Sequence, residues 1–265
     1  MIRTVVVGAG GRMGRSLVAL LPEFPELALH GAVVAPGSRL EGAAVPGVGA
    51  LRYAGALAAA LPGAQLVIDF SAADAAPGHV DACAAAGVPL LLGTTGAGAA
   101  LEAAAARAGA RIPLLIASNT SVGVAVLAEL VRHAAAALPA QFDIEIVEAH
   151  HRHKVDAPSG TALTLGEAAA RGRGVELAGR AGHGRWGAIG PRPPGEIGFA
   201  VVRGGDVVGE HEVLFLGAGE RLALKHTATD RSIFARGALH AGRWLAGRPP
   251  GRYEMRDIFG LKTGN

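Results

Sequence analysis

Gly8-Ala9-Gly10-Gly11-Arg12-Met13-Gly14 follows the apolar run Thr4–Val7 and opens the helix-like stretch Met13–Leu21. Strand, glycine-rich turn and helix, in that order, form the element that holds a dinucleotide by its backbone. Strict GxGxxG spacing asks for glycine at position 13, where the chain has methionine, so the loop reads as GxGGxxG. The physical needs are still met. Gly8 supplies a tight turn, Gly10 and Gly11 a close approach to pyrophosphate, and Gly14 close packing of helix on strand.

The first half of the chain continues in the same rhythm. Thr4–Val7, Leu27–Val34, Leu66–Phe70, Pro89–Leu92 and Pro113–Ala117 read as strands, with helix-like stretches at Met13–Leu21, Ala75–Ala86 and Gly98–Ala108. Near-continuous apolar strands alternating with helices predict a parallel sheet covered on both faces. After about Gly123 the rhythm changes. A helix, Val124–Ala137, leads to Phe142–His150, where Asp143, Glu145 and Glu148 punctuate the apolar positions. A helix over Thr161–Arg171, a Gly/Pro-rich loop over Gly172–Gly195 and strands at Gly198–Arg203, Glu210–Leu216 and Arg221–Thr227 follow. Short glycine-containing turns predict that these three strands are antiparallel neighbours. A last helix, Ile233–Leu245, returns to the first domain. The fold class is therefore α/β: a Rossmann-like parallel-sheet nucleotide domain (1–121 plus 232–265) with an inserted α+β substrate domain (122–231). Hinges are expected near Ser118–Gly123 and Ala228–Arg236.

Composition narrows the function. A net charge of +3 over 265 residues, with no basic run, excludes a nucleic-acid footprint. No apolar run approaches membrane-spanning length, and no charged segment with an apolar core precedes the first strand, so a cytoplasmic location is expected. The single cysteine, Cys83, lies in an Ala-rich helical stretch and reads as a buried, inert thiol. Trp186 and Trp244 read as packing residues.

The segment Glu148–Leu163, EAHHRHKVDAPSGTAL, concentrates the chemistry. It holds His150, His151, His153, Lys154 and Asp156, and its Ser159-Gly160-Thr161 turn opens a helix whose N–H groups suit an anion. Three histidines and an aspartate are also ligand types that zinc accepts. Adjacent His150 and His151 point to opposite sides of an extended segment, however, and Lys154 repels a cation, so no metal is expected. A polar surface loop is the plainest alternative. The functional reading is a site for a small dicarboxylate, with Lys154 and the histidines as cations and proton donors.

At the ribose-reading position, about 20 residues past the glycine loop, the second strand ends in Ala35-Pro36-Gly37 without a carboxylate, followed by Ser38 and Arg39. That favours NADPH over NADH, since Arg39 can attract a 2′-phosphate; a solvated loop arginine is the alternative. Gly93-Thr94-Thr95-Gly96 and Ala117-Ser118-Asn119-Thr120 end the fourth and fifth strands, where ligands sit in open α/β sheets. Asp69 and Ser71 read as structural, and Gly209–Glu212 as a polar sheet face.

Taken together, GAGGRMG (8–14), IDFS (68–71), GTTG (93–96), SNTSVGV (118–124), EAHHRHKVDAPSGTA (148–162), GEIGFAVVRGGDVVGEHEV (195–213) and MRDIFGL (255–261) resemble one family. It is the dihydrodipicolinate (4-hydroxy-tetrahydrodipicolinate) reductases of bacterial lysine and diaminopimelate synthesis. The resemblance covers nearly the whole chain. It implies a catalytic histidine at His150 and a proton-donating lysine at Lys154, with substrate binding at His151, Gly160 and Thr161. It also implies cofactor contacts at Gly8, Ala9, Gly10, Gly11, Arg12 and Met13, at Gly93, Thr94 and Thr95, and at Ala117, Ser118, Asn119 and Thr120. A homotetramer is implied as well. Two positions depart from the family pattern: Ala35-Pro36 replace an acid and an arginine found in many members, and Thr120 replaces an aromatic residue of some. Cofactor preference is thus not carried over. Another reductase of a small imino dicarboxylate, or a non-catalytic cofactor-binding regulator, remain the other readings.

Overall fold

A computed structural model describes residues 1–94 and 98–260. The chain divides into two compact units, Met1–Ser121 with Ser232–Asn265, and Val122–Arg231. In chain order the first unit supplies β1 (Ile2–Val7), α1 (Arg12–Leu20), β2 (Leu27–Val33), β3 (Tyr53–Ala54), α2 (Leu57–Ala60) and β4 (Leu66–Asp69). It continues with α3 (Ala76–Ala86), β5 (Leu90–Leu92), α4 (Gly98–Gly109) and β6 (Pro113–Ile116). The second unit holds α5 (Val122–Ala137), β7 (Asp143–His150), α6 (Gly160–Arg173), β8 (Ala181–His183), β9 (Ile197–Arg203), β10 (Gly209–Leu216) and β11 (Arg221–Ala228). Then α7 (Ser232–Leu245) and β12 (Gly251–Tyr253) return to the first.

The first unit is built on a seven-stranded sheet in the order β12-β6-β5-β4-β1-β2-β3, every neighbouring pair parallel. Its strands are apolar throughout because both faces are covered. Val5, Val67, Leu90 and Leu114 pack with Val80 and Cys83 of α3 and Ala104 of α4 on one side. On the other side lie α1 and α7, and α7 approaches so closely that a Cβ on Gly242 would fall 2.9 Å from Leu66. From β1 the chain runs to β2 on one side and later to β4 on the other, which makes the carboxyl ends of β1 and β4 a switch point of the kind that opens a ligand crevice. Cys83 is buried, and burial pushes its thiol up to about 12, which makes it inert.

In the second unit, α5 and α6 pack on one face of a mixed sheet ordered β11-β10-β7-β9-β8. β7 and β10 alternate buried and half-buried residues along their whole length, and Ile144, Ile146, Val213 and Phe215 join Leu165 and Ala169 in the core. On the opposite face Glu145 accepts hydrogen bonds from Arg185 and Arg192 of the 184–196 loop.

Two expectations are corrected here. β10 and β11 are antiparallel neighbours, but β9 is not beside β10; β7 lies between them and pairs parallel with β9. The cause is the intervening α6, a crossover of the length that parallel pairing demands. Trp186 packs on nothing comparable to Trp244, which meets Tyr253 edge-on; it is 95% exposed on the loop after β8. β8 itself, along with β3, α2 and β12, lacks a sequence signal because each has only two to four residues. Among the described residues no helix is long and apolar enough to cross a membrane.

Candidate active site

The glycine loop stands at the switch point, and each glycine has a measurable reason to be one. Gly8 adopts φ +75°, and a Cβ there would lie 2.6 Å from the Phe70 carbonyl oxygen. A Cβ on Gly14 would lie 2.2 Å from the Gly8 carbonyl oxygen, so the first turn of α1 can rest on β1 only without a side chain. The helix opens at Gly11 with no side-chain cap, which leaves its first N–H groups to an anion. This cradle fits a dinucleotide.

Two clefts border the loop. The larger, about 830 Å³, is lined by Gly8, Gly10 and Gly11 together with Ala35, Pro36, Ser38 and Arg39. The smaller, about 380 Å³, brings Gly11, Arg12 and Met13 to Phe70, Ser71, Gly93 and Thr94. Ala9 is wholly buried behind the loop. Gly93 is required by the Phe70 ring, which a Cβ would strike at 2.1 Å, and Thr94 Oγ1 donates to the Ser71 carbonyl at 3.0 Å. Thr95 lies outside the described residues. Ala117, Ser118, Asn119 and Thr120 line neither cleft. Thr120 is buried, and its hydroxyl donates to the Phe234 carbonyl at 2.7 Å, while Asn119 Oδ1 accepts from the Ser121 N–H at 2.8 Å. Sequence reasoning passed over Arg15 and His79, which also line the larger cleft. His79 Nδ1 is held 2.8 Å from the buried Asp69 carboxylate, which also accepts from the Ser71 N–H.

The second unit carries the other constellation. β7 delivers Glu148 and His150 to its buried face, and the chain then turns through His151 to Lys154. That turn is fixed by the loop after β9: the N–H groups of His151 and Arg152 donate to the carbonyls of Val207 and Gly205 at 2.7 and 3.2 Å. Glu148, 1% exposed, accepts from both terminal nitrogens of Arg203 at 2.7 Å and from the Ser159 N–H at 3.0 Å, and His150 Nδ1 lies 2.6 Å from its Oε2. Burial alone would raise the Glu148 carboxyl, yet Arg203, His150 and the Ser159 N–H hold it below its ordinary value. Burial pushes His150 down, against the pull of Glu148.

Ser159 caps α6, its hydroxyl accepting from the Ala162 N–H at 3.2 Å, so Gly160 and Thr161 form the first turn. Ser159 Oγ also lies 3.0 Å from His211 Nε2, and the His211 ring meets that of His150 edge-on at 5.0 Å. His211 belongs to the Gly209–Glu212 stretch read as a polar sheet face; it is instead buried behind the site. The alternation of β10 was a usable signal, since His211 shares the parity of buried Val213 and Phe215. Arg203 and Arg231 were also missed. Arg231 Nη2 lies 3.0 Å from His151 Nε2. Lys154 Nζ pairs with Asp156 at 2.8 Å.

A family model of the dihydrodipicolinate reductase N-terminus matches residues 2–120, and one of its C-terminus matches residues 123–259. The chain belongs to the dihydrodipicolinate reductase family. The 4-hydroxy-tetrahydrodipicolinate reductase of Thiobacillus denitrificans is 49% identical over 98% of this chain and 99% of that protein. That of Anaeromyxobacter dehalogenans is 48% identical over the whole of both. Among solved structures, the dipicolinate-bound dihydrodipicolinate reductase of Paenisporosarcina sp. TG-14 has the same fold, with a TM-score of 0.78 at 24% identity over 96% of this chain and 97% of that one. As a dihydrodipicolinate reductase the chain is an oxidoreductase that uses a pyridine nucleotide.

Proposed function

We propose that this enzyme reduces 4-hydroxy-tetrahydrodipicolinate to tetrahydrodipicolinate in the diaminopimelate route to lysine. Water leaves the hydroxylated ring, and one hydride and one proton add to the conjugated imine. The observation that carries this reading is the convergence of His150 and the Ser159-Gly160-Thr161 helix start on a single buried carboxylate, Glu148.

In this reading the second unit binds the dicarboxylate. Gly160 and Thr161 offer backbone N–H groups at a helix start, where the dipole favours an anion, and His151 and Lys154 add polar and cationic partners. Lys154 and His150 supply the proton as hydride is added. Gly8, Ala9, Gly10, Gly11, Arg12 and Met13 cradle the dinucleotide backbone in the first unit, with Gly93, Thr94, Thr95 and Ala117, Ser118, Asn119, Thr120 at the ends of neighbouring strands. The bound reduced nicotinamide supplies the hydride. NADPH is the favoured cofactor over NADH, supported by Arg39 in the larger cleft and by the missing carboxylate at Ala35-Pro36.

A cytoplasmic homotetramer assembled through the sheet of the second unit completes the reading. Val202, 53% exposed on the face away from α5 and α6, supports it as apolar sheet surface in need of cover. The test is a coupled assay. Aspartate semialdehyde and pyruvate pass through the upstream synthase while oxidation of NADPH and of NADH is followed in parallel. Oxidation that depends on the synthase product is expected, with the larger kcat/KM for NADPH. A folded enzyme that binds nucleotide and oxidises neither would sink the reading.

A further inference from the structure

A histidine delivers a proton from the ring nitrogen that faces the reactant, and the hydrogen bond at the other nitrogen decides which one that is. At His150, Nδ1 is 2.6 Å from Glu148 Oε2. Three further N–H donors, two from Arg203 and one from Ser159, point at the same carboxylate. A carboxylate so surrounded is ionised and can only accept, so the proton of neutral His150 sits on Nδ1.

A second feature concerns Nε2. Gly209 begins β10, the strand beside β7, and a Cβ there would lie 3.0 Å from His150 Nε2. Gly209 does not have a left-handed backbone, so its lack of a side chain answers to space and not to conformation. The glycine keeps that nitrogen uncrowded.

We propose that Glu148 and Gly209 are the positioning pair of the proton-donating histidine. Glu148 fixes Nδ1–H and the plane of the ring, so a second proton, taken up at Nε2 to give the imidazolium, is the one handed over, and Gly209 keeps that nitrogen open. This rests on His150 being a proton donor to the imino dicarboxylate. Because Glu148 also accepts from Ser159, the cap of α6, one carboxylate sets the donor and the carboxylate-binding turn in register. The charged and titratable groups around His150 are Glu148 on its own strand, Lys154 from the following turn, Arg203 from β9 and His211 from β10.

The first test needs no variant in the site: histidine-selective ¹⁵N labelling of the whole enzyme, with long-range ¹H–¹⁵N spectra above the titration of His150. His150→Gln assigns the signal. The Nδ1–H tautomer is expected. The second test is kinetic. Glu148→Gln removes the charge that favours the imidazolium, so the alkaline fall of kcat should move to lower pH and kcat should drop about tenfold or more, with the nucleotide KM unchanged. Glu148→Asp should restore part of the profile. Gly209→Ala should lower kcat while leaving the tautomer as it is. An Nε2–H tautomer in the parent enzyme would overturn the proposal alone, as would an unmoved pH profile in folded Glu148→Gln. Full turnover in His150→Gln would overturn the proton-donor reading and this proposal with it.

Discussion

Lys154 Nζ lies 2.8 Å from Asp156 Oδ1, so the lysine of the histidine-rich turn is already paired with a carboxylate two residues on. Asp156 is half exposed, and Lys154 is the main reason its carboxyl lies below the ordinary range. Such a pair adds little to stability in water. Its effect is competition, because an incoming carboxylate shares the ammonium's charge with Asp156. Lys154→Ala is expected to lower turnover roughly 100-fold, and turnover within threefold of the parent would remove the proton-donor role. Asp156→Asn is expected to lower the dicarboxylate KM. A higher KM would mean that Asp156 orients the lysine and does not merely occupy it.

Arg39 lines the larger cleft beside Ala35 and Pro36. Arg39→Ala should raise the NADPH KM by about tenfold or more through loss of a charge-assisted contact, with a smaller change for NADH. Steady-state kinetics with both cofactors decide it. Equal changes would reduce Arg39 to a solvated loop residue.

His211 gives the fold a pH limit. Burial, with His150 as the next cause, pushes it from 6.5 down to about 4, so it is neutral in the folded protein at pH 5 while the unfolded chain is protonated there. The unfolded state therefore binds more protons between pH 6.5 and about 4, and stability falls as pH falls through that window. The contribution is on the order of 3 kcal/mol. His150 and His226 are displaced the same way. Carboxylates held low, such as Glu145 and Glu148, add their loss only below about 4.5. Urea melts at pH 7 and pH 5 should show the difference, and His211→Gln should flatten it. An unchanged slope in that variant would assign the pH limit to other groups.

Gly14→Ala should be costly because its Cβ would meet the Gly8 carbonyl oxygen at 2.2 Å. A backbone atom cannot step aside as a side chain can, so about 1–3 kcal/mol of stability is at stake, along with the seat of the nucleotide. Thermal melts with and without NADPH test it. Parent-like melting and an undiminished shift with NADPH would mean that α1 is free to slide.

Most of the fold was readable because its signals are local. Val5–Val7 and Leu90–Leu92 announce a two-faced sheet by composition alone, and the alternation of Asp143–His150 announces a one-faced one. Strand order in the second unit was not readable, since nothing in Gly198–Arg203 says that β7 and not β10 lies beside it. The candidate site divides in the same way. The turn from His150 to Thr161 lies in one stretch of sequence and was legible as a unit. Arg203, His211 and Arg231 come from separate strands or their ends, 55, 52 and 80 residues from Glu148, Ser159 and His151. Each looks like an ordinary polar residue until the sheet is assembled. Thr120 shows the converse: a motif position whose hydroxyl is spent on the backbone of α7.

The first unit is closed by elements that follow the second unit in the chain: β12 is the outermost strand of its sheet, beside β6, and α7 covers the strands β4 to β6. On a ribosome, every residue of the second unit has emerged before these pieces appear, so the second unit can finish folding while the first still shows a bare sheet face. A C-terminal truncation is therefore expected to strike the glycine loop near the amino terminus, more than two hundred residues away in sequence, while removing nothing from the histidine-bearing unit.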